Sequence, residues 1–301
     1  MDLRALRYFL AVAEQGSFTA AAQQLHTAQP AVSMAVRKLE DELGLTLFHR
    51  NERRVTLTDE GLVLLPHARQ ILQGVADAEL AMHELHGLQQ GEVRIGISNM
   101  LGSYYFPPIL MAFRERYPGV RLSVVEAGTR AIQRMIMEGE IDIGVVVADA
   151  PPAELESRCF LRDQMMAIVP DDHALAQRKA IRFDEFFDEE LVLFKQGYFH
   201  REVIDRLCAE HGLQANIGFE TNLLALIRQI VKQGFAITTL LPMVIRDDPQ
   251  LVAVPFTQPV WLDLSIAWRR GGYLSVANRT FVEFLLAHSQ NKESPTASDP
   301  L

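Results

Sequence analysis

Leu3, Leu6, Leu10 and Ala13 recur at spacings of three and four, which predicts an apolar helical stripe over about residues 3–14, ended at Gly16. Ser17 is placed to cap a second, short helix whose inward face is Phe18, Ala21, Ala22 and Leu25. Thr27 is the next cap candidate. Pro30 then falls in the first turn of a third helix over about 28–43, stopped by Gly44, where its missing amide proton costs no hydrogen bond. The buried stripe predicted for this helix is Val32, Ala35, Val36, Leu39 and Leu43. Alternation of Leu45, Leu47, Val55 and Leu57 predicts two short strands around Arg50, Arg53 and Arg54.

Residues 58–87 read as helical throughout. Thr58 caps the segment, Asp59 and Glu60 put negative charge in its first turn, and Leu65, Ala68, Leu72, Val75 and Met82 follow a mostly four-three spacing. At about 1.5 Å per residue this helix is roughly 45 Å long. Two readings stay open: a surface helix covering its own domain, or a seam that pairs with the same helix of a second chain. The polar, Gly-flanked stretch 87–92 reads as a hinge.

Beyond the hinge, strands and helices alternate. Strands are expected at 93–97, 120–126 and 141–148, with helices at 104–117 and 131–138 between them. A second unit has strands at 165–169, 191–194, 217–220 and 236–240, with helices at 183–187, 201–211 and 223–232. The run 261–268 returns toward the first unit, and 276–288 closes it as an amphipathic helix. The pattern predicts an α/β domain with a parallel sheet, in two lobes joined by two crossing strands. The tail 291–301 has no periodicity and is expected to be disordered.

Charge locates the chemistry. The chain of 301 residues carries a net −9, but residues 1–58 hold seven Lys/Arg against six Asp/Glu. The acidity belongs to the remainder, and so weak a positive balance in the first segment implies that nucleic acid is gripped by two or more copies together. Gln29, Ser33 and Arg37 recur every four residues on one face of the third helix, and their types match base edges: Gln for adenine, Arg for guanine, Ser for base or phosphate. For that helix alone, a solvated amphipathic face is the competing reading. The wing arginines Arg50, Arg53 and Arg54 tilt the balance, because guanidinium groups on a hairpin can reach phosphate or the minor groove.

In α/β sheets ligands collect at the carboxyl ends of the strands. The loops expected there are 98–103 with Ser98, Asn99, Met100 and Ser103; Gly128 and Thr129; 195–200 with Gln196 and Gly197; Thr221 and Asn222; and Leu241 and Pro242. Ser98, Asn99, Ser103, Thr129 and Thr221 offer neutral hydrogen-bonding groups. Tyr198, Phe199 and His200 either line the same side or pack at the surface. No nucleophile elbow, phosphate-binding Gly loop, dinucleotide fingerprint or metal-ligand spacing is found, which argues against an enzyme and against a metal or other cofactor. Cys159 and Cys208 are the only cysteines and read as two buried free thiols. Neither a signal peptide nor a membrane-spanning run is visible, so a cytoplasmic protein with no membrane partner is expected.

The residues Phe9, Ala13, Gly16-Ser17-Phe18, Ala20-Ala21-Ala22, Leu25, Gln29-Pro30-Ala31-Val32-Ser33, Leu39-Glu40, Leu43-Gly44, Leu47-Phe48, Arg50, Leu57-Thr58 and Gly61 together resemble the LysR-type transcriptional regulators. The resemblance implies an N-terminal winged helix-turn-helix over 1–58, a linker and dimerisation helix over 59–88, and a two-lobed, periplasmic-binding-protein-like effector domain over 89–290. Lobe I would take about 92–163 and 269–290, and lobe II about 164–268. By this analogy Thr27, Gln29, Pro30, Ser33, Arg37 and the wing arginines touch double-stranded promoter DNA, and Leu65, Leu72, Val75 and Met82 form the dimer seam. A homotetramer, contact with RNA polymerase and a small-molecule effector such as an organic acid also follow from it. Met100 departs from the Ser or Thr that many relatives carry and implies a bulkier or more apolar ligand. A redox-sensing or ligand-independent regulator of the same fold is the alternative.

Overall fold

Asp2 opens the first helix, α1 (Leu3–Gln15), by accepting the Ala5 amide at 2.6 Å, and the chain leaves it at Gly16 with φ 59°. The computed structural model describes residues 1–51, 54–84, 91–147 and 152–290. Helices α2 (Phe18–Gln24) and α3 (Gln29–Leu43) follow, then the hairpin β1 (Phe48–Asn51) and β2 (Arg54–Leu57), then α4 (Asp59–Glu84). Ser17 caps α2 through the Ala20 amide, and α3 ends at Gly44, as their types predict.

The burial of α1 differs from its predicted stripe. Leu6, Phe9 and Val12 are fully enclosed, with Ala5, Tyr8 and Ala11 beside them, whereas Leu3 is exposed and Leu10 and Ala13 are half-buried. The helix touches α2, α3 and α4, so the covered arc is wider than one stripe and rotated from it. On α3, Val32, Val36 and Leu39 are buried, Ala35 is half-buried and Leu43 is exposed. Leu45 is likewise exposed, and Leu47 and Phe48 enter the core instead, with Phe48 against the rings of Phe9 and Phe18.

The wing is fastened by main-chain polar groups. The Val55 amide donates to the Gly16 carbonyl, and the Leu47 amide to the Glu40 carboxylate at 2.9 Å. Thr58 caps α4 by accepting the Gly61 amide while donating to the Thr46 carbonyl. Gly61 has no room for a side chain, since a Cβ there would meet the Leu47 carbonyl oxygen at 2.3 Å.

The second unit begins with β3 (Gly91–Ile97), so Gly91 and Glu92 are already paired with Val120 and Arg121 and are not hinge residues; 87–90 lie outside the described residues. Next come α5 (Asn99–Tyr104), α6 (Phe106–Arg116), β4 (Val120–Glu126), α7 (Thr129–Met137) and β5 (Ile143–Val147). The helix expected over 104–117 is α6, which starts only at Phe106, because Pro107 and Pro108 lack amide protons and fit only its first turn; the loop expected over 98–103 is instead mostly the short helix α5. β6 (Leu155–Pro170) leads to α8 (Phe183–Phe187), β7 (Leu191–Leu193), α9 (Phe199–His211), β8 (Ile217–Glu220), α10 (Leu224–Lys232) and β9 (Thr238–Leu240). A 3-10 turn at Pro242–Val244, β10 (Leu251–Val254), β11 (Val260–Arg269) and α11 (Val276–Gln290) complete the unit; the tail 291–301 lies outside the described residues.

The sheet is mixed, not parallel. β3 pairs in parallel with β4 and β5, but β11 runs antiparallel to both β5 and β6, and β9 and β10 are antiparallel to the far end of β6. The two crossing strands are β6 and β11, in register from Leu155 opposite Arg269 to Met165 opposite Val260, with an irregularity at Leu264/Ser265. Residues 264–268 pair with β5, so they lie in lobe I and not in lobe II as the expected boundary had it. Only 165–169 was expected as strand because Glu156, Arg158, Arg162 and Asp163 interrupt the apolar pattern upstream. Cys159 lies on this strand and is exposed, and Cys208 on α9 is half-buried, so the expectation of two buried thiols fails; neither forms a disulfide.

Candidate DNA-binding face and a cleft between two lobes

Pro30, Met34, Arg37 and Gln29 stand exposed on α3, Ser33 is half-exposed, and the buried stripe is on the other side. Thr27 does not cap this helix. Ala28 occupies the cap position without a side-chain bond, and the Thr27 hydroxyl bonds the Tyr8 phenol instead. Hydrogen bonds from Arg4 and then Thr27 hold that phenol below its ordinary pKa. The turn before α3 is tight enough to put His26 at φ 49°, in the left-handed region. In the wing, Arg50 is registered opposite Val55 and Arg54 opposite Asn51; Arg53 lies outside the described residues.

On α4 the predicted seam splits. Ala68 is buried, and Leu65 and Leu72 are packed with it against the core of their own unit. Val75 is half-buried, and only Met82 of the expected set is exposed. The outward row is Val63, His67, Ile71, Gly74, Ala78 and Met82, all exposed at spacings of four and three.

The second unit carries the cleft. β3 and β4 end side by side, with Ile97 opposite Glu126 and the Ala127 amide on the Ile97 carbonyl, so Ser98 and Asn99 neighbour Gly128 and Thr129. Asn99 and Thr129 are not loop residues but the first residues of α5 and α7, and Phe199 likewise starts α9. Across the cleft, Gly197 comes so close that a Cβ on Gly128 would sit 2.6 Å from its carbonyl oxygen. Tyr198 donates to Glu126 at 3.1 Å, and burial first, then that carboxylate, pushes the phenol up to about 12.

Other predicted site residues go elsewhere. Met100 is buried in the core of the unit, so its size does not shape the cleft as expected. Ser103 and Gln196 are exposed. The Thr221 hydroxyl accepts the Leu223 amide at 3.2 Å and shapes the turn before α10. Pro242 begins the 3-10 turn that α5 touches.

Three features were not legible beforehand. Arg130 on α7 holds both carboxylate oxygens of Glu202 on α9. Arg228 on α10 donates to the Tyr104 hydroxyl at the end of α5 and to Asp248 at 2.6 Å, a buried carboxylate that also receives Lys232 at 2.9 Å. Between α7 and α9 lies a cavity of about 60 Å³, lined by Thr129, Gln133, Val147, Phe199 and Val203 and rimmed by the Arg130–Glu202 pair. Thr129 and Gln133 are 9% and 5% exposed, and neither side chain has a hydrogen-bond partner among the described residues. Gln133 could have been found from its i+4 spacing to Thr129; the ion pairs had no local signal.

A sequence model described as bacterial regulatory helix-turn-helix protein, lysR family, matches residues 3–62, and one for the LysR substrate binding domain matches 86–290. The chain belongs to the LysR family of transcriptional regulators. Among LysR relatives, the HTH-type transcriptional regulator YwbI of Bacillus subtilis is 36% identical over 287 residues, covering 94% of this chain and 95% of the relative. The RuBisCO operon transcriptional regulator of Allochromatium vinosum is 32% identical over 296 residues, covering 96% and 97%. Full-length OxyR from Pseudomonas aeruginosa has the same fold, with a TM-score of 0.75 over 96% of this chain and 95% of that one, at 23% identity. Among the described residues no helix is long and apolar enough to cross a membrane, and no group of His, Cys, Asp and Glu could hold a metal ion.

Proposed function

We propose that this LysR-family regulator reads duplex promoter DNA through α3 and the wing, and is controlled by a small polar effector held between the lobes at Thr129 and Gln133. The single observation that carries the effector site is that two largely buried polar residues, Thr129 and Gln133, line one cavity between α7 and α9. A ligand offering both donor and acceptor can bond this hydroxyl and amide in a partly water-excluded setting. An organic acid fits this chemistry when its carboxylate takes the Thr129 hydroxyl and the free amides that open α7. Arg130 at the rim is already engaged by Glu202, and Arg206 is the other cation that lines the cavity.

Assembly follows from two apolar surfaces. The row Val63, Ile71 and Met82 of α4 suits pairing with its copy in a dimer. Met111 and Val124 of lobe I, with Leu223, Leu226 and Phe235 of lobe II, are exposed and suit further self-association toward a tetramer. We further propose RNA polymerase as a partner of the promoter-bound regulator, and the cytoplasm as its setting.

A thermal-shift screen of the full chain with small carboxylates and hydroxy acids tests the effector site. The expected result is a saturable shift in the wild type, weakened by about 1–3 kcal/mol in Thr129→Ala and in Gln133→Leu, with DNA binding retained. A ligand that binds both variants like the wild type moves the site elsewhere, and silence across the screen favours a ligand-independent regulator.

A further inference from the structure

Met34 is 70% exposed on a helix whose Val32, Val36 and Leu39 are enclosed. With 3.6 residues per turn it stands roughly opposite that buried stripe, one turn beyond Pro30 and one turn before Arg37. A lone exposed Met is ordinary on a protein surface. This one has an unusual setting. The first half of α3 presents Gln29, Pro30, Ser33 and Met34, all uncharged, and cations begin only at Arg37 and Lys38. An uncharged face is poor at gripping phosphate and suited to base edges, where the thymine C5-methyl is the only apolar group a base pair shows in the major groove.

The thioether side chain is long, unbranched and polarisable, so it can follow a methyl group that a shorter residue at this position would not reach. A protein partner is less well served. The groove beside Met34 has a floor of Ala5, Ala31, Ala35 and Leu39, and its rim of Asp2, Arg4, Lys38 and Glu42 mixes both signs of charge, which suits no single apolar or charged partner segment. We infer that Met34 is a specificity-determining contact that reads a thymine methyl in the major groove. The inference rests on the reading of α3 as the DNA-recognition helix and adds a residue to it.

The test uses the full-length chain and a random duplex library. Preferred sequences are selected with wild type, and each thymine of the best duplex is replaced in turn by deoxyuracil, which removes only the methyl. At one thymine per half-site the replacement should weaken wild type about 3- to 10-fold, the worth of roughly one buried methyl, and leave Met34→Ala unaffected. Met34→Gln, which keeps the length and adds an amide, should move the preference at that position toward adenine. If every thymine replacement affects wild type and Met34→Ala alike, the inference is wrong while the DNA-reading helix stands. If wild type enriches no sequence, the reading of α3 as a recognition helix falls, and this inference with it.

Discussion

Arg130 grips both carboxylate oxygens of Glu202, at 2.8 and 2.9 Å, and so joins the first turns of two helices from opposite lobes at the rim of the Thr129–Gln133 cavity. The pair raises the Arg130 pKa, chiefly through the hydrogen bonds to Glu202. Arg130 is more than half exposed, so solvent screens the attraction and its effect on stability should be small. A double-mutant cycle of Arg130→Ala and Glu202→Ala, followed by urea unfolding, should give a coupling of about 0.5–1 kcal/mol that shrinks in high salt. A coupling of several kcal/mol would mean that the pair is a structural lock between the lobes and not a rim contact.

Burial alone depresses His200, whose pKa falls from the usual imidazole value to about 4 and whose Nε2 has no partner. The folded pKa lies below the unfolded one, so between about pH 6.5 and 4 the unfolded chain binds more protons and stability is lost as the pH falls. His200→Phe, which fills the space beside Phe194 without an ionisable ring, should remove on the order of 2 kcal/mol of the acid destabilisation between pH 7 and 4.5. Chemical unfolding of both proteins across that range measures it, and equal slopes would show that His200 titrates normally.

The two faces of α4 should respond differently to a buried charge. Ile71→Glu lies on the outward row, so the head should keep its fold by circular dichroism while the dimer weakens in sedimentation. Leu72→Glu should instead destabilise the head itself, by about 1–2 kcal/mol, because that side chain packs on the core beside Ala68. An unchanged dimer in Ile71→Glu would exclude this row as the interface.

Reading and gripping have separate signatures on DNA. Arg37→Ala should cost about 1–3 kcal/mol on a selected operator and little on random duplex, eroding discrimination. Arg53→Ala, if this arginine grips phosphate, should weaken both duplexes alike and lower the slope of log affinity against log salt by roughly one. Binding isotherms at several salt concentrations separate the two, and the opposite pattern would exchange the roles of helix and wing.

The residues whose effects are local were legible from the chain. Ser17, Gly16, Gly44 and Thr58 act within a few positions of themselves, so their caps and stops could be read directly, as could the alternation of strands and helices. Thr129 was expected beside the cleft for a similar reason, from the end of the strand before it, although it starts α7 and does not lie in a loop.

What covers a given face was decided only by tertiary structure. Periodicity says that Leu65, Ala68 and Leu72 share a side of α4, but not that α1 and the wing would claim that side and leave Val63, Ile71 and Met82 outward. Met100 was read as a cleft residue from its place in a loop, yet it starts a helix that turns it into the core. The charged first half of β6 looks like a loop until β11 pairs with it, because main-chain hydrogen bonding across the lobes stabilises a strand whose side chains lack the apolar pattern. Arg130 meets Glu202, and Arg228 meets Tyr104, across separations of 72 and 124 residues that no local pattern spans. The chain's own spacing thus determined the elements and their chemistry, while packing between distant elements chose which polar groups line the cavity.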